Sequence, residues 1–134
     1  ILGHEVAHVI CRHGAERVSQ QMGVAAAVAI TDEATKKKDA QTRQAWVAAI
    51  GLGTQLGVLL PYSRNHESES DYLGLLFMAR AGYDPEKAPG FWERFAKIGG
   101  SRPPEFLSTH PADATRIRQL RGWMAEAKAQ RPKG

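Results

Sequence analysis

One cysteine in 134 residues, Cys11, leaves no partner for an internal disulfide and no thiolate cluster for a metal. A lone thiol is also uninformative about compartment. Long hydrophobic runs are missing too: Met22 to Ile30 and Ala45 to Leu60 fall short of the roughly 18 to 20 apolar residues that a membrane span needs. Neither run has the position of a signal peptide. Aromatic residues are scarce, at 7%, and do not interleave with basic ones. The net charge of +4 comes largely from Lys36, Lys37, Lys38 and the tail through Arg131 and Lys133, so a solvated charged surface is expected and nucleic acid is not a partner. No stretch alternates with the period of a strand, and no internal repeat is visible. What is present is 43% hydrophobic content, enough to bury the core of one compact domain over 1–134.

Apolar residues Val6, Ala7, Val9, Ile10 and Val18 recur at three- and four-residue intervals, which predicts a helix from Leu2 to about Gln21. Residues 31–44 are polar and charge-clustered, and are expected to be a flexible loop. Ala45 to Leu60, punctuated by Gly51, Gly53 and Gly57, reads as a glycine-weakened helix lying against the functional site. Pro61 should then break or restart the chain. Ser63 is placed as the N-cap of a helix from Arg64 to about Ala81, with Leu73, Leu76 and Phe77 on its apolar face and Gly82 as its stop. Asp84 and Pro85 open a short helix whose face is Phe91, Trp92, Phe95 and Ile98; Gly99 to Pro104 is a loop. His110-Pro111 leads into a last helix with Ile117, Leu120 and Met124 at helical spacing. The fold class is mainly α.

His4-Glu5-Val6-Ala7-His8 carries the chemistry. On a helix, positions four apart differ by about 40° in direction and 6 Å along the axis, so both imidazoles can reach one Zn²⁺. Glu5 can touch a water on that metal without being a ligand, the position of a general base that takes a proton from the water and passes it to a leaving amine. A catalytic zinc needs a third protein ligand and an open position. His13 lies about 140° around the helix from His8 and points away unless the helix breaks first, and Cys11 stands where the long three-histidine motif requires glycine. Glu67 is the better ligand, because Glu67 and Asp71 are again four apart. Glu67 can bind zinc while Asp71 accepts the second ring N–H of a ligand histidine, expected to be His4. Glu69 faces about 200° away from Glu67 and is expected to be solvated or salt-bridged.

Five blocks, Leu2-Gly3-His4-Glu5-Val6-Ala7-His8-Val9, Arg12-His13, Ser63 to Asp71, Ala81-Gly82-Tyr83-Asp84-Pro85, and Ser108-Thr109-His110-Pro111 with Arg116-Ile117, resemble the HtpX and CAAX-prenyl-protease family of zinc metallopeptidases, closest to its soluble periplasmic BepA-like members. The resemblance implies a gluzincin arrangement: one zinc per chain on His4, His8 and Glu67, with Asp71 behind it and Glu5 as the base. It also implies that His110 can approach the metal and plug its open site or steady the reacting carbonyl, and that Arg116 lies near the substrate oxyanion. The implied activity is endoproteolysis of polypeptides in protein quality control; a zinc-containing, chaperone-like module whose site is plugged by His110 is the alternative. The implied location is periplasmic or membrane-associated, with membrane-associated partners. Because the chain does not begin with Met and the motif starts at its fourth residue, it is expected to be the C-terminal part of a longer domain whose family strands precede the zinc helix. Ser70 stands where the family commonly has alanine.

Overall fold

A computed structural model describes residues 1–98, 110 and 114–132, the side chain of Ile98 excepted. Among these the elements are α1 (Leu2–Ile10), α2 (His13–Thr35), α3 (Ala40–Thr54), a π-helical turn (Gln55–Leu59), α4 (Leu60–Arg80), α5 (Lys87–Ile98), α6 (Ala114–Gly122) and α7 (Met124–Ala129). The described residues contain no strand, so the mainly α expectation holds. The expected loop 99–104 and the Ser108, Thr109 and Pro111 parts of the histidine block lie outside them.

Two compact units result: Ile1–Ile10 with Glu67–Gly134, and Cys11–His66. The first has a conventional apolar core of Leu75, Leu76, Ala79, Trp92, Leu120 and Ala127, flanked by Tyr72, Phe91, Phe95, Ile117, Trp123 and Met124. Leu73 and Phe77, expected on the core face of α4, are only half-buried, and Leu75 and Ala79 take that place. Gly82 ends α4 as expected. At φ 87° it adopts a left-handed conformation, while Tyr83 N–H donates back to Met78 O at 3.1 Å and satisfies a terminal carbonyl. The next helix starts slightly later than expected, because Asp84 first closes a turn by accepting from Glu86 N–H at 3.0 Å.

In this first unit α1 and α4 meet backbone to backbone. A Cβ on Gly3 would lie 2.8 Å from Gly74 O, and one on Gly74 would lie 2.8 Å from His4 N. Two glycines therefore set how closely the helix of His4 and His8 approaches the helix of Glu67 and Asp71.

The second unit departs from the sequence expectations in three places. The helix foreseen over 2–21 is interrupted at Cys11 and Arg12, where Arg12 takes φ 58°, a left-handed conformation costly for a residue with a Cβ. Residues 31–44 are not a loop; only Lys36–Asp39 separate α2 from α3. A polar, exposed helix needs no apolar period, and this hairpin supplies other local support. Thr35 Oγ1 donates to Thr31 O at 2.7 Å, Asp39 caps α3 by accepting from Thr42 N–H at 2.9 Å, and Arg43 pairs with Asp32 across the turn. The same hydrogen bond from Thr42 holds the Asp39 carboxyl below its ordinary pKa. Finally, Pro61 does not restart the chain. It has no N–H and its ring would collide with a carbonyl one α-turn back, but the wider π turn immediately before it, closed by Leu60 N–H to Gln55 O, absorbs the fault. Ser63 is accordingly inside α4 and caps nothing. The helical stretch Ala40–Arg80 is, by length and composition, long and apolar enough to cross a membrane, which the apolar count over Ala45 to Leu60 alone did not suggest.

Candidate metal centre

The candidate centre lies wholly within the first unit. His4 and His8 stand one turn apart on α1, and Glu67 and Asp71 one turn apart on α4. His4, Glu67 and Asp71 are almost fully buried. His4 Nε2 lies 3.1 Å from His8 Nε2 and 3.3 Å from Glu67 Oε2, and His8 Nε2 lies 3.3 Å from Glu67 Oε1. His110 joins them: its Nδ1 is 3.3 Å from His4 Nε2 and 2.9 Å from Glu67 Oε2. Four potential ligand atoms, from His4, His8, Glu67 and His110, thus converge within 4.8 Å of one another.

The donor set can be tested against a metal. His4 Nδ1 lies 2.9 Å from Asp71 Oδ1 without the alignment of a hydrogen bond, and this close carboxylate favours the ring proton on Nδ1, which leaves the Nε2 lone pair toward His8 and Glu67. A lone pair facing another imidazole nitrogen and a carboxylate is unfavourable until a proton or a cation sits between them. Ligand atoms at the corners of a tetrahedron around Zn²⁺ stand about 3.3 to 3.6 Å apart. The observed separations are close to that range and slightly inside it. Nitrogen and carboxylate donors in this number suit zinc. Glu5 Oε1 adds a second sign: it is shielded from solvent and accepts no hydrogen bond among the described residues, with His110 Nε2 3.7 Å away. A buried carboxylate oxygen left in that state calls for a hydrogen-bonding guest at the centre.

The charges are consistent with this arrangement. Burial disfavours the imidazolium of His4, but the contacts to Asp71 and Glu67 outweigh it and hold its pKa above the ordinary value. Burial likewise pushes Glu67 up, yet His4, His8, His110 and the Arg116 guanidinium overcome it and hold the carboxyl far below the usual range.

Arg116 is brought to the centre by α6, but not as a free group. Its Nε and Nη2 donate to the two oxygens of Asp71 at 2.6 and 2.7 Å, its Nη1 lies 3.1 Å from Glu67 Oε2, and its guanidinium sits 4.0 Å over the ring of Trp92. Trp92 also meets His4 edge-on, with ring centroids 5.9 Å apart. From the sequence Trp92 reads as one more core aromatic, and the Gly3–Gly74 approach goes unseen. A glycine inside each of two predicted helices was the available signal for the latter.

Two sequence candidates belong to the second unit. The helix does break before His13, but His13 belongs to the second unit, where it stacks on His66 at 4.1 Å between centroids while His66 Nε2 contacts Glu16 Oε2 at 2.7 Å. The Ala45 to Leu60 segment, expected beside the site, also falls in that unit.

Residues 1–124 match peptidase family M48. The chain is 34% identical to the mitochondrial metalloendopeptidase OMA1 of Schizosaccharomyces pombe, over 98% of this chain and 37% of that protein. It is 36% identical to the protein of the same name in Arabidopsis thaliana, over 90% of this chain and 23% of that one. It is 30% identical to the beta-barrel assembly-enhancing protease of Escherichia coli, over 90% of this chain and 26% of that protein. The chain thus spans between about a quarter and about a third of the relatives it matches. No solved structure matches it.

Proposed function

The chain belongs to peptidase family M48, and from that premise we propose that it is the metal-bearing part of a zinc-dependent endopeptidase, with His4, His8 and Glu67 as the zinc ligands. The convergence of His4 Nε2, His8 Nε2 and the Glu67 carboxylate, with Asp71 fixing the His4 tautomer, carries the reading. Zinc in such a site polarises a scissile carbonyl and makes water nucleophilic at neutral pH. Glu5, beside the ligands with an oxygen that accepts no hydrogen bond among the described residues, takes the proton from the attacking water and returns it to the departing amine. Arg116 is a positioning residue rather than an oxyanion donor, since its guanidinium is committed to Asp71 and Glu67. The substrates are polypeptides, and relatives named as a mitochondrial metalloendopeptidase and a beta-barrel assembly-enhancing protease support a part in protein quality control; the setting we assign is periplasmic or membrane-associated.

A specific contact favours a gated version of this reading. His110 Nδ1, within 3.0 Å of both Glu67 oxygens, supports a site that the chain itself can close by offering a fourth ligand. Opening requires His110 to leave. A module that keeps its zinc permanently plugged would bind partners without turnover.

The deciding experiment compares wild type, Glu5→Gln and His110→Ala by zinc analysis and casein cleavage, using the whole protein that carries this segment. Glu5→Gln should keep stoichiometric zinc and lose about 10²- to 10⁴-fold in rate. His110→Ala should cleave faster than wild type. Undiminished cleavage by Glu5→Gln would remove Glu5 as the base, and zinc without turnover in every variant would favour the plugged module.

A further inference from the structure

Trp92 stands where the apolar core of the first unit meets its polar cluster. It is 4% exposed and packs in the core with Leu75, Leu76, Ala79 and Leu120. Filling that core calls for bulk alone, yet the indole makes two contacts outside it. The Arg116 guanidinium lies over the ring with its central carbon 4.0 Å from the centroid, and the imidazole of His4 meets the ring at 67°, with centroids 5.9 Å apart. Phe91 and Phe95 of the same helix pack against the indole in turn, both at 74° and with centroids 5.4 and 6.3 Å away.

These two contacts fall on the two ends of one chain of polar groups. Arg116 donates from Nε and Nη2 to Asp71, and Asp71 Oδ1 lies 2.9 Å from His4 Nδ1. The hydrogen bonds hold the guanidinium from the carboxylate side. Trp92 limits its movement on the core side, where a desolvated cation against an indole gains an attraction that an aliphatic wall would not give. At the other end, His4 turns both ring nitrogens to the cluster, Nδ1 to Asp71 and Nε2 to His8 and Glu67, while its ring rests against Trp92.

We propose that Trp92 is a positioning residue for the metal centre: the indole braces Arg116 and His4 together and so fixes the direction in which His4 Nε2 points. Its effect on affinity rests on the reading of His4, His8 and Glu67 as zinc ligands, whereas the brace itself needs no metal. Phenylalanine at this position keeps an aromatic face; leucine keeps only apolar bulk.

The test uses the whole protein that carries this segment. In competitive zinc titration Trp92→Phe should stay within about threefold of wild type, and Trp92→Leu should bind about tenfold more weakly, as when an outer partner of a ligating histidine is lost. Leu76→Ala, at another core position, should destabilise the fold and keep wild-type zinc affinity. Because Trp92 and Asp71 act on the same histidine, adding Trp92→Leu to Asp71→Asn should weaken zinc by no more than about threefold further. With zinc removed, the Nε proton of Arg116, followed by NMR of arginine-labelled protein, should exchange slowly in wild type and Trp92→Phe and about tenfold faster in Trp92→Leu. In case Trp92→Leu fails to fold, a multiply fluorinated tryptophan at position 92 keeps the shape of the ring and weakens its negative face, so it should lower both zinc affinity and proton protection. Unchanged affinity in Trp92→Leu, an equal loss in Leu76→Ala or full additivity with Asp71→Asn overturns the proposal. So does an Arg116 proton equally protected with and without the aromatic face, or a fluorinated ring that changes neither readout. Wild type without a tight zinc site would refute the ligand assignment and not the brace, which the exchange rates then decide alone.

Discussion

The two units use the same kinds of residue in opposite ways. In the first, Leu75, Leu76, Trp92 and Leu120 form an apolar core although Leu2, Val9 and Ile10 of α1 stay exposed, and the buried polar groups His4, Glu67, Asp71 and Arg116 form one connected cluster. In the second, the buried residues are His13, Thr35 and His66, while Val18, Met22, Ile30, Trp46, Leu52 and Leu56 face outward. Glycine shows the same inversion: Gly3 and Gly74 are pressed against backbone, whereas Gly51, Gly53 and Gly57 have nothing within 4 Å of a would-be Cβ. A unit whose polar groups converge is organised around a guest. One whose apolar groups diverge is organised toward its surroundings.

The two units should differ most at their ion pairs. Arg116→Met would leave Asp71 and Glu67 buried without their cation, so it should destabilise the zinc-free protein by about 3 to 5 kcal/mol in denaturant unfolding. Arg43→Gln removes an exposed, solvent-screened pair with Asp32 and should leave the denaturant midpoint nearly unchanged. Equal effects would mean that the burial difference is immaterial. At the glycines, Gly74→Ala forces a Cβ into the backbone at His4 and should cost about 1 to 3 kcal/mol, with weakened zinc affinity as a second readout. Acid should also distinguish the units. The folded-state pKa of Glu67 is depressed below its ordinary 4.5, so its contribution to stability is present above that pH and is lost as pH falls toward the folded value. Thermal unfolding of zinc-free protein should therefore weaken on acidification, and Glu67→Gln should flatten that slope. The smallest effect is expected for Gly53→Ala, which meets open space and should stabilise its helix by about 1 kcal/mol or less.

Much of the first unit was legible because its chemistry depends on spacing. Residues four apart on a helix share a face, so His4 with His8, and Glu67 with Asp71, could be paired on paper. Proximity across the fold was harder to read. That Arg116 clamps Asp71, and that Trp92 lies beneath its guanidinium, depend on how α5 and α6 return to α4, and no local pattern encodes that return. In the second unit, residues 31–44 read as a loop because an exposed helix held by Asp39 and the Asp32–Arg43 pair has no apolar period to display. Pro61 was overread for a related reason: a π turn can accommodate a proline that an α-helix cannot, and sequence does not announce the wider turn.

Competitive zinc titration of wild type, Glu67→Ala, Asp71→Asn and Glu69→Ala tests most directly whether His4, His8 and Glu67 hold one zinc with Asp71 behind them. One tight site in wild type and in Glu69→Ala, weakened about 10- to 100-fold by Asp71→Asn and further still by Glu67→Ala, is the predicted order. Wild-type affinity retained in Glu67→Ala, or lost in Glu69→Ala instead, would contradict it.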